Sequence, residues 1–94
     1  MTWSEDTVKR ITDNIIELLK RYPRHFSASG IVGLLTKTRR PRPSPSPYVI
    51  TMIMNKHVVG HNGIVGYVND DGIYEYFYDS KMDLMHSARD LGGL

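Results

Sequence analysis

"SPYVITMIMNKHVVGHNGIVGYVNDDGIYEYFYD", residues 46–79, changes period partway along, and that change decides the fold. Ser46 followed by Pro47 is a helix start signal: the hydroxyl can cap a free amide, and proline fits the first helical position, where its missing N–H is not needed. A helix over 47–59 is predicted. Val49, Ile50, Ile53, Met54 and His57 fall on one side of it, and Tyr48, Thr51, Met52, Asn55 and Val59 on the other. Gly60 or Gly63 is expected to end it. Beyond that the spacing shortens to two. "GIVGYV" (63–68) and "IYEYFYD" (73–79) are rich in β-branched and aromatic residues and flank Asn69-Asp70-Asp71-Gly72, an Asp-Gly turn signal, so they read as a β-hairpin. Ile73, Glu75 and Phe77 alternate with Tyr74, Tyr76 and Tyr78. Both faces carry bulk, so one of them is expected to be covered by a helix or a partner.

Working toward the N-terminus, "TKTRRPRPSP" (36–45) is basic and punctuated by proline, which favours extended backbone. Before it, Ile31, Leu34 and Leu35 form a narrow apolar stripe. Ser27 is an N-cap candidate, and Phe26 and Ile31 have the spacing of a hydrophobic staple, so a helix is predicted from Ser27 to about Lys37. Further back, Val8, Ile11, Ile15, Leu18, Leu19 and Tyr22 recur at helical spacing, with Lys9, Arg10, Asp13, Glu17 and Lys20 on the other side. Either Thr2 or Ser4 can cap this first helix, and Pro23 stops it near Tyr22. Toward the C-terminus, Met82, Met85, Ala88 and Leu91 repeat every three residues along a helix over about 80–91, ahead of a frayed Gly92-Gly93-Leu94.

Ninety-four residues support one domain with a single core. No apolar run reaches the length of a membrane span. The N-terminus is acidic where a secretory signal would be basic and then apolar. The chain has no cysteine, hence no disulfide framework and no thiolate metal site. A reducing, cytoplasmic setting fits these features. The net charge of +2 conceals an asymmetry: residues 1–62 hold ten Lys and Arg against four Asp and Glu, whereas residues 63–94 hold two against six. A basic front and an acidic back create a dipolar field that can orient a polyanion on one face. The same pattern also describes two solvated surfaces of opposite sign.

The order helix, helix, helix, hairpin resembles the winged helix-turn-helix family of DNA-binding domains, over about residues 4–79. The resemblance implies an α+β fold: three helices, a two-stranded hairpin as the wing, and a C-terminal helix where many such regulators dimerise. It makes residues 27–37 the supporting helix and residues 47–59 the recognition helix that enters the major groove. It further implies a small sequence-specific protein that binds double-stranded DNA, a transcriptional regulator acting as a homodimer through Met82, Met85, Ala88 and Leu91. Two departures stand out. The inter-helix link, Lys37 to Pro45, is long and proline-rich, and the wing tip, Asn69-Asp70-Asp71-Gly72, is acidic and would be repelled by phosphate.

On this reading Lys37, Arg39, Arg40 and Arg42 are the backbone contacts, with Ser46 and Lys56 at the margin of the helix. Arginine presents fixed donors that match phosphate oxygens. Tyr48, Thr51, Met52 and Asn55 are the candidate base contacts, since Asn pairs with adenine through both amide groups and Thr or Met can touch the thymine methyl. The same exposed Tyr and Met would equally suit a protein surface. The acidic C-terminal half and its tyrosine-rich hairpin offer a second place for a protein partner in a larger assembly. A small RNA-binding protein using the basic loop is the third reading. His57 and His61 have i,i+4 spacing but no third ligand nearby in sequence, so no metal is expected, and no cofactor. Tyr74, Tyr76 and Tyr78 could stack on unpaired bases, yet the neighbouring acids oppose a polyanion and packing explains them better. Nothing activates Ser44 or Ser46 as a nucleophile, and no phosphate loop or carboxylate pair in an apolar setting is present. No enzymatic activity is expected.

Overall fold

A computed structural model describes residues 4–38 and 45–90. It is an α+β fold of helices α1 (Glu5–Arg21), α2 (Ala28–Thr38), α3 (Pro47–Ile53) and α4 (Ser80–Asp90) with strands β1 (Phe26–Ser27), β2 (Ile64–Val68) and β3 (Tyr74–Tyr78). A single π-helical turn, Met54–Val58, continues α3. The antiparallel sheet has the order β1-β3-β2, so β3 is central.

Start signals act locally. Ser4, rather than Thr2, caps α1: its Oγ accepts the Thr7 N–H at 3.1 Å. Glu5 and Asp6 then lie in the first turn and Lys20 and Arg21 in the last, each sign matching the helix dipole. Ser27, although paired in β1, accepts the Gly30 N–H at 3.2 Å and so performs the capping expected of it at the head of α2. Ser46 accepts the Val49 N–H at 3.2 Å, with Pro47 just inside α3.

The core lies between α1, α2, α3 and one face of the sheet. Ile11, Ile15, Leu18 and Leu19 of α1 meet Ile31 and Leu35 of α2, Ile50 and Ile53 of α3, and Ile64 and Tyr76 of the sheet. Strand register assigns the faces. Ile64 pairs with Tyr78, Gly66 with Tyr76 and Val68 with Tyr74 on the core side, whereas Val65 pairs with Phe77 and Tyr67 with Glu75 on the outer side. The hairpin turn is held by Asn69, whose Oδ1 accepts the N–H groups of Asp71 (2.9 Å) and Ile73 (3.0 Å). Gly72 adopts the positive φ, +78°, that this tight turn requires.

One expectation needs correction. A continuous α-helix over 47–59 would bury His57 beside Ile53 and Met54. Instead the chain widens into the π-turn, the Val59 N–H bonds back five residues to the Met54 carbonyl at 2.8 Å, and Val58 takes the buried place. The physical reason is the side chain: burying valine releases water, whereas burying an unpaired imidazole would not be compensated. His57 is therefore exposed. One sheet face is expected to be covered by a helix or a partner, and α1, α2 and α3 cover the core side; the outer face is covered in part by a residue of the chain itself. His25 stacks on Phe77 with ring centroids 4.4 Å apart and meets Tyr67 edge-on at 5.2 Å.

Candidate nucleic-acid interface

The exposed side of α3 and its π-turn presents the residues singled out by spacing. Tyr48 is 66% and Met52 55% exposed, and Asn55 and Lys56 are exposed in the turn. Thr51 is half-buried, and its hydroxyl donates to the Pro47 carbonyl at 3.0 Å. That bond occupies its proton and leaves the methyl as the group it can offer. Ser46 is exposed with its oxygen engaged in the cap, so its hydroxyl proton remains able to point outward. Lys37 is exposed in the last turn of α2, so a cation flanks the approach to α3. Arg39, Arg40 and Arg42 lie outside the described residues, as does Leu91. What is brought together is thus Tyr48, Thr51, Met52, Asn55 and Lys56 on one helical element, with Lys37 at the end of the preceding helix.

Thr51 also faces inward, toward Tyr76. The Tyr76 hydroxyl is fully buried and makes no hydrogen bond of acceptable geometry. Burial pushes its phenol above the ordinary range, and the nearby Thr51 hydroxyl acts in the opposite direction without closing a bond. The floor under the exposed helix face therefore holds one unsatisfied polar atom. Beyond it, Tyr74 tilts against Tyr76 with centroids 5.1 Å apart and lies over Gly66, where any Cβ would fall 2.6 Å from the Tyr74 ring. A side chain at Gly66 would have to displace that ring.

The π-turn has a second consequence for the surface. A groove of about 630 Å³ between α1 and the turn is lined by Glu5, Asp6, Lys9 and Thr12 of α1 and by Lys56 and His57 of the turn. Its mixed charge does not select one ligand class. Sequence spacing could not anticipate this groove, because it depends on the register slip that turns His57 outward.

Other polar side chains hold the fold. The Tyr67 hydroxyl donates to Glu75 Oε1 at 2.6 Å, and that of Tyr78 donates to Asp83 Oδ2 at 2.7 Å. Both phenols are raised above the ordinary tyrosine range, first by these bonds to carboxylates. The hairpin tyrosines are thus committed to packing and internal hydrogen bonds rather than forming a row of open rings. His57 and His61 do not join a metal-binding set: among the described residues no group of three or more His, Asp or Glu comes together. On α4, Met82 and Ala88 are half-buried, whereas Met85 is 63% and Leu84 76% exposed. Spacing missed Leu84. Steps of three drift around a helix of 3.6 residues per turn, so Met82, Met85 and Ala88 do not share one direction. No helix among the described residues is long and apolar enough to cross a membrane. Comparison with protein-family models, curated proteins and solved structures finds no match for this chain.

Proposed function

We propose that this is a winged helix-turn-helix protein that binds double-stranded DNA and regulates transcription. The single observation that carries the reading is the exposed face of α3 and its π-turn, where Tyr48, Met52, Asn55 and Lys56 stand clear of the core while Ile50, Ile53 and Met54 anchor the other side. The element order supports the same reading: a supporting helix, a second helix beside it, then a hairpin whose second strand is fixed between β2 and β1.

In this account α3 enters the major groove, Asn55 reads a base edge, and Lys37, Arg39, Arg40, Arg42, Ser46 and Lys56 contact phosphate. Thr51 contributes its methyl, its hydroxyl being held by Pro47. The acidic hairpin tip stays off the DNA. Two subunits pair through α4, where Leu84 and Met85 are exposed and Met82 and Ala88 half-buried; Leu91, the remaining contact expected from the sequence, lies outside the described residues. A second reading, a protein-interaction module, is favoured by the exposure of Tyr48 and Met52.

The deciding experiment compares binding to duplex DNA, single-stranded RNA and a neutral protein control. Duplex DNA should bind best, and Asn55→Ala should relax preference at one base pair per half-site by about 1–3 kcal/mol while leaving non-specific affinity nearly unchanged. Preference for RNA, or no nucleic-acid binding at all, would refute the proposal.

A further inference from the structure

His86 is 6% exposed, and it is the only histidine or formally charged residue that is buried among the described residues. Its Nδ1 accepts the backbone N–H of Gly63 at 3.0 Å, so that nitrogen carries no proton in this arrangement. The bond lies at the joint between α4 and the start of β2. Gly63 cannot shift to find another acceptor: it sits at φ +81° with Asp83 Cβ, the Asp79 carbonyl and the Tyr78 ring all within 2.8 Å of where a Cβ would be. Its own carbonyl accepts the Asp79 N–H at 2.8 Å, and Arg89 donates to the nearby Gly60 carbonyl at 2.6 Å. The helix is therefore clasped to residues 60–63 by His86 on Gly63 and by Arg89, which donates to the Gly60 carbonyl and lies 3.4 Å from His61 Nδ1, so a histidine nitrogen is an acceptor in both ties.

We infer that His86 is a pH-operated latch: neutral, it holds α4 on the sheet, and protonated at Nδ1 it releases α4 together with the subunit contact that α4 carries. The subunit-contact part rests on the dimer proposed above. A proton on Nδ1 would set one donor against another, orphan a buried amide and place a cation where water is excluded, so the ring must leave. The charged and titratable groups around the joint are Asp83 and Arg89 on α4, Asp79 and Tyr78 at the end of β3, His61 in the loop, and Asp13, Glu17 and Lys20 on α1. The carboxylates stabilise an imidazolium once it has swung outward, whereas Lys20 and Arg89 oppose it.

The test is amide hydrogen exchange on the full chain at about pH 8 and about pH 5, the interval over which histidine ordinarily changes charge. Rates are corrected for the intrinsic pH dependence of exchange. Protection of Gly63 and of the α4 amides should fall relative to α1, by up to roughly tenfold per pH unit for a single proton taken up on opening. In His86→Gln, whose amide oxygen can accept the same N–H but does not titrate, protection should be equal at both pH values. The same fall in His86→Gln, or no fall in the wild type, overturns the latch. Should His86→Gln fail to fold, the wild type decides alone: the loss of Gly63 protection must track the ring resonances of His86, and tracking those of His25, His57 or His61 overturns it. Light scattering on the same samples should show a dimer at the higher pH and a monomer at the lower. A monomer at both, with the opening intact, refutes the dimer and upholds the latch, whereas a dimer that persists after α4 is released refutes the placement of the subunit contact on α4.

Discussion

Replacing Gly63 by alanine should destabilise the protein far more than replacing Gly60, although the two glycines have nearly the same backbone conformation. Their φ values are +81° and +88°, so each alanine meets a left-handed penalty of about 1–2 kcal/mol. Part of this is offset because alanine also restricts the unfolded chain, by about 0.4–1 kcal/mol. At Gly60 a new Cβ meets nothing within 4 Å, so the expected loss stays near 1 kcal/mol. At Gly63 it would lie 2.7 Å from Asp83 Cβ and 2.8 Å from the Asp79 carbonyl, atoms that cannot swing away as a long side chain would. Overpacking of this kind adds about 1–3 kcal/mol, giving about 2–4 kcal/mol in all. Domains of this kind are stable by about 5–15 kcal/mol, with small ones at the lower end, so the loss is a large share of the total. Urea unfolding of both variants, compared at equal m, measures the gap. Equal losses at the two positions would show that α4 does not press on Gly63 and would refute the packing described for this joint.

Tyr76→Phe removes a buried hydroxyl that makes no hydrogen bond and should stabilise the fold by about 1 kcal/mol, read as a raised urea midpoint. Destabilisation would mean that the hydroxyl does bond to Thr51. The phenols of Tyr67 and Tyr78 are raised above 10.0 because ionisation would break their bonds to Glu75 and Asp83. Their neutral forms are favoured by folding, so this contribution is complete below pH 10.0 and is lost as pH rises through the elevated values. Absorbance titration should show three late-ionising tyrosines, Tyr67, Tyr76 and Tyr78, with Glu75→Gln advancing the first and Asp83→Asn the last.

The elements marked by local chemistry were legible from the residues alone. Ser46 with Pro47, Ser27 with its Gly30 amide, and Asn69 with Gly72 each satisfy a backbone group a few positions away, so the signal is contained in the sequence. The apolar stripe of α1 was equally plain. Three features were not. β1 has two residues and exists only because Phe26 pairs with Tyr76 across the sheet, a contact 50 positions distant. The π-turn is a slip of backbone register that a fixed period of 3.6 cannot express. Its one hint is that His57 occupies a position suited to burial with Val58 beside it. The partner of His86 was hidden for the same reason as β1: Gly63 is 23 residues away. On the candidate interface, Tyr48, Met52, Asn55 and Lys56 were legible because exposure on a helix follows from its spacing. The inward commitments of Thr51 were not.

The proposed function is tested most directly at the cations that precede α3, which the proposal places against DNA phosphates. The measurement is a salt titration of affinity for one duplex, made with the wild type and with Arg39, Arg40 and Arg42 all replaced by alanine. Each neutralised phosphate contributes about −0.9 to the slope of log affinity against log salt, so losing three contacts should flatten the slope by about 2–3 units per subunit. Base preference should survive, because phosphate contacts position the protein without reading sequence. Equal slopes for the two proteins would mean that these arginines do not meet DNA, and would contradict the account.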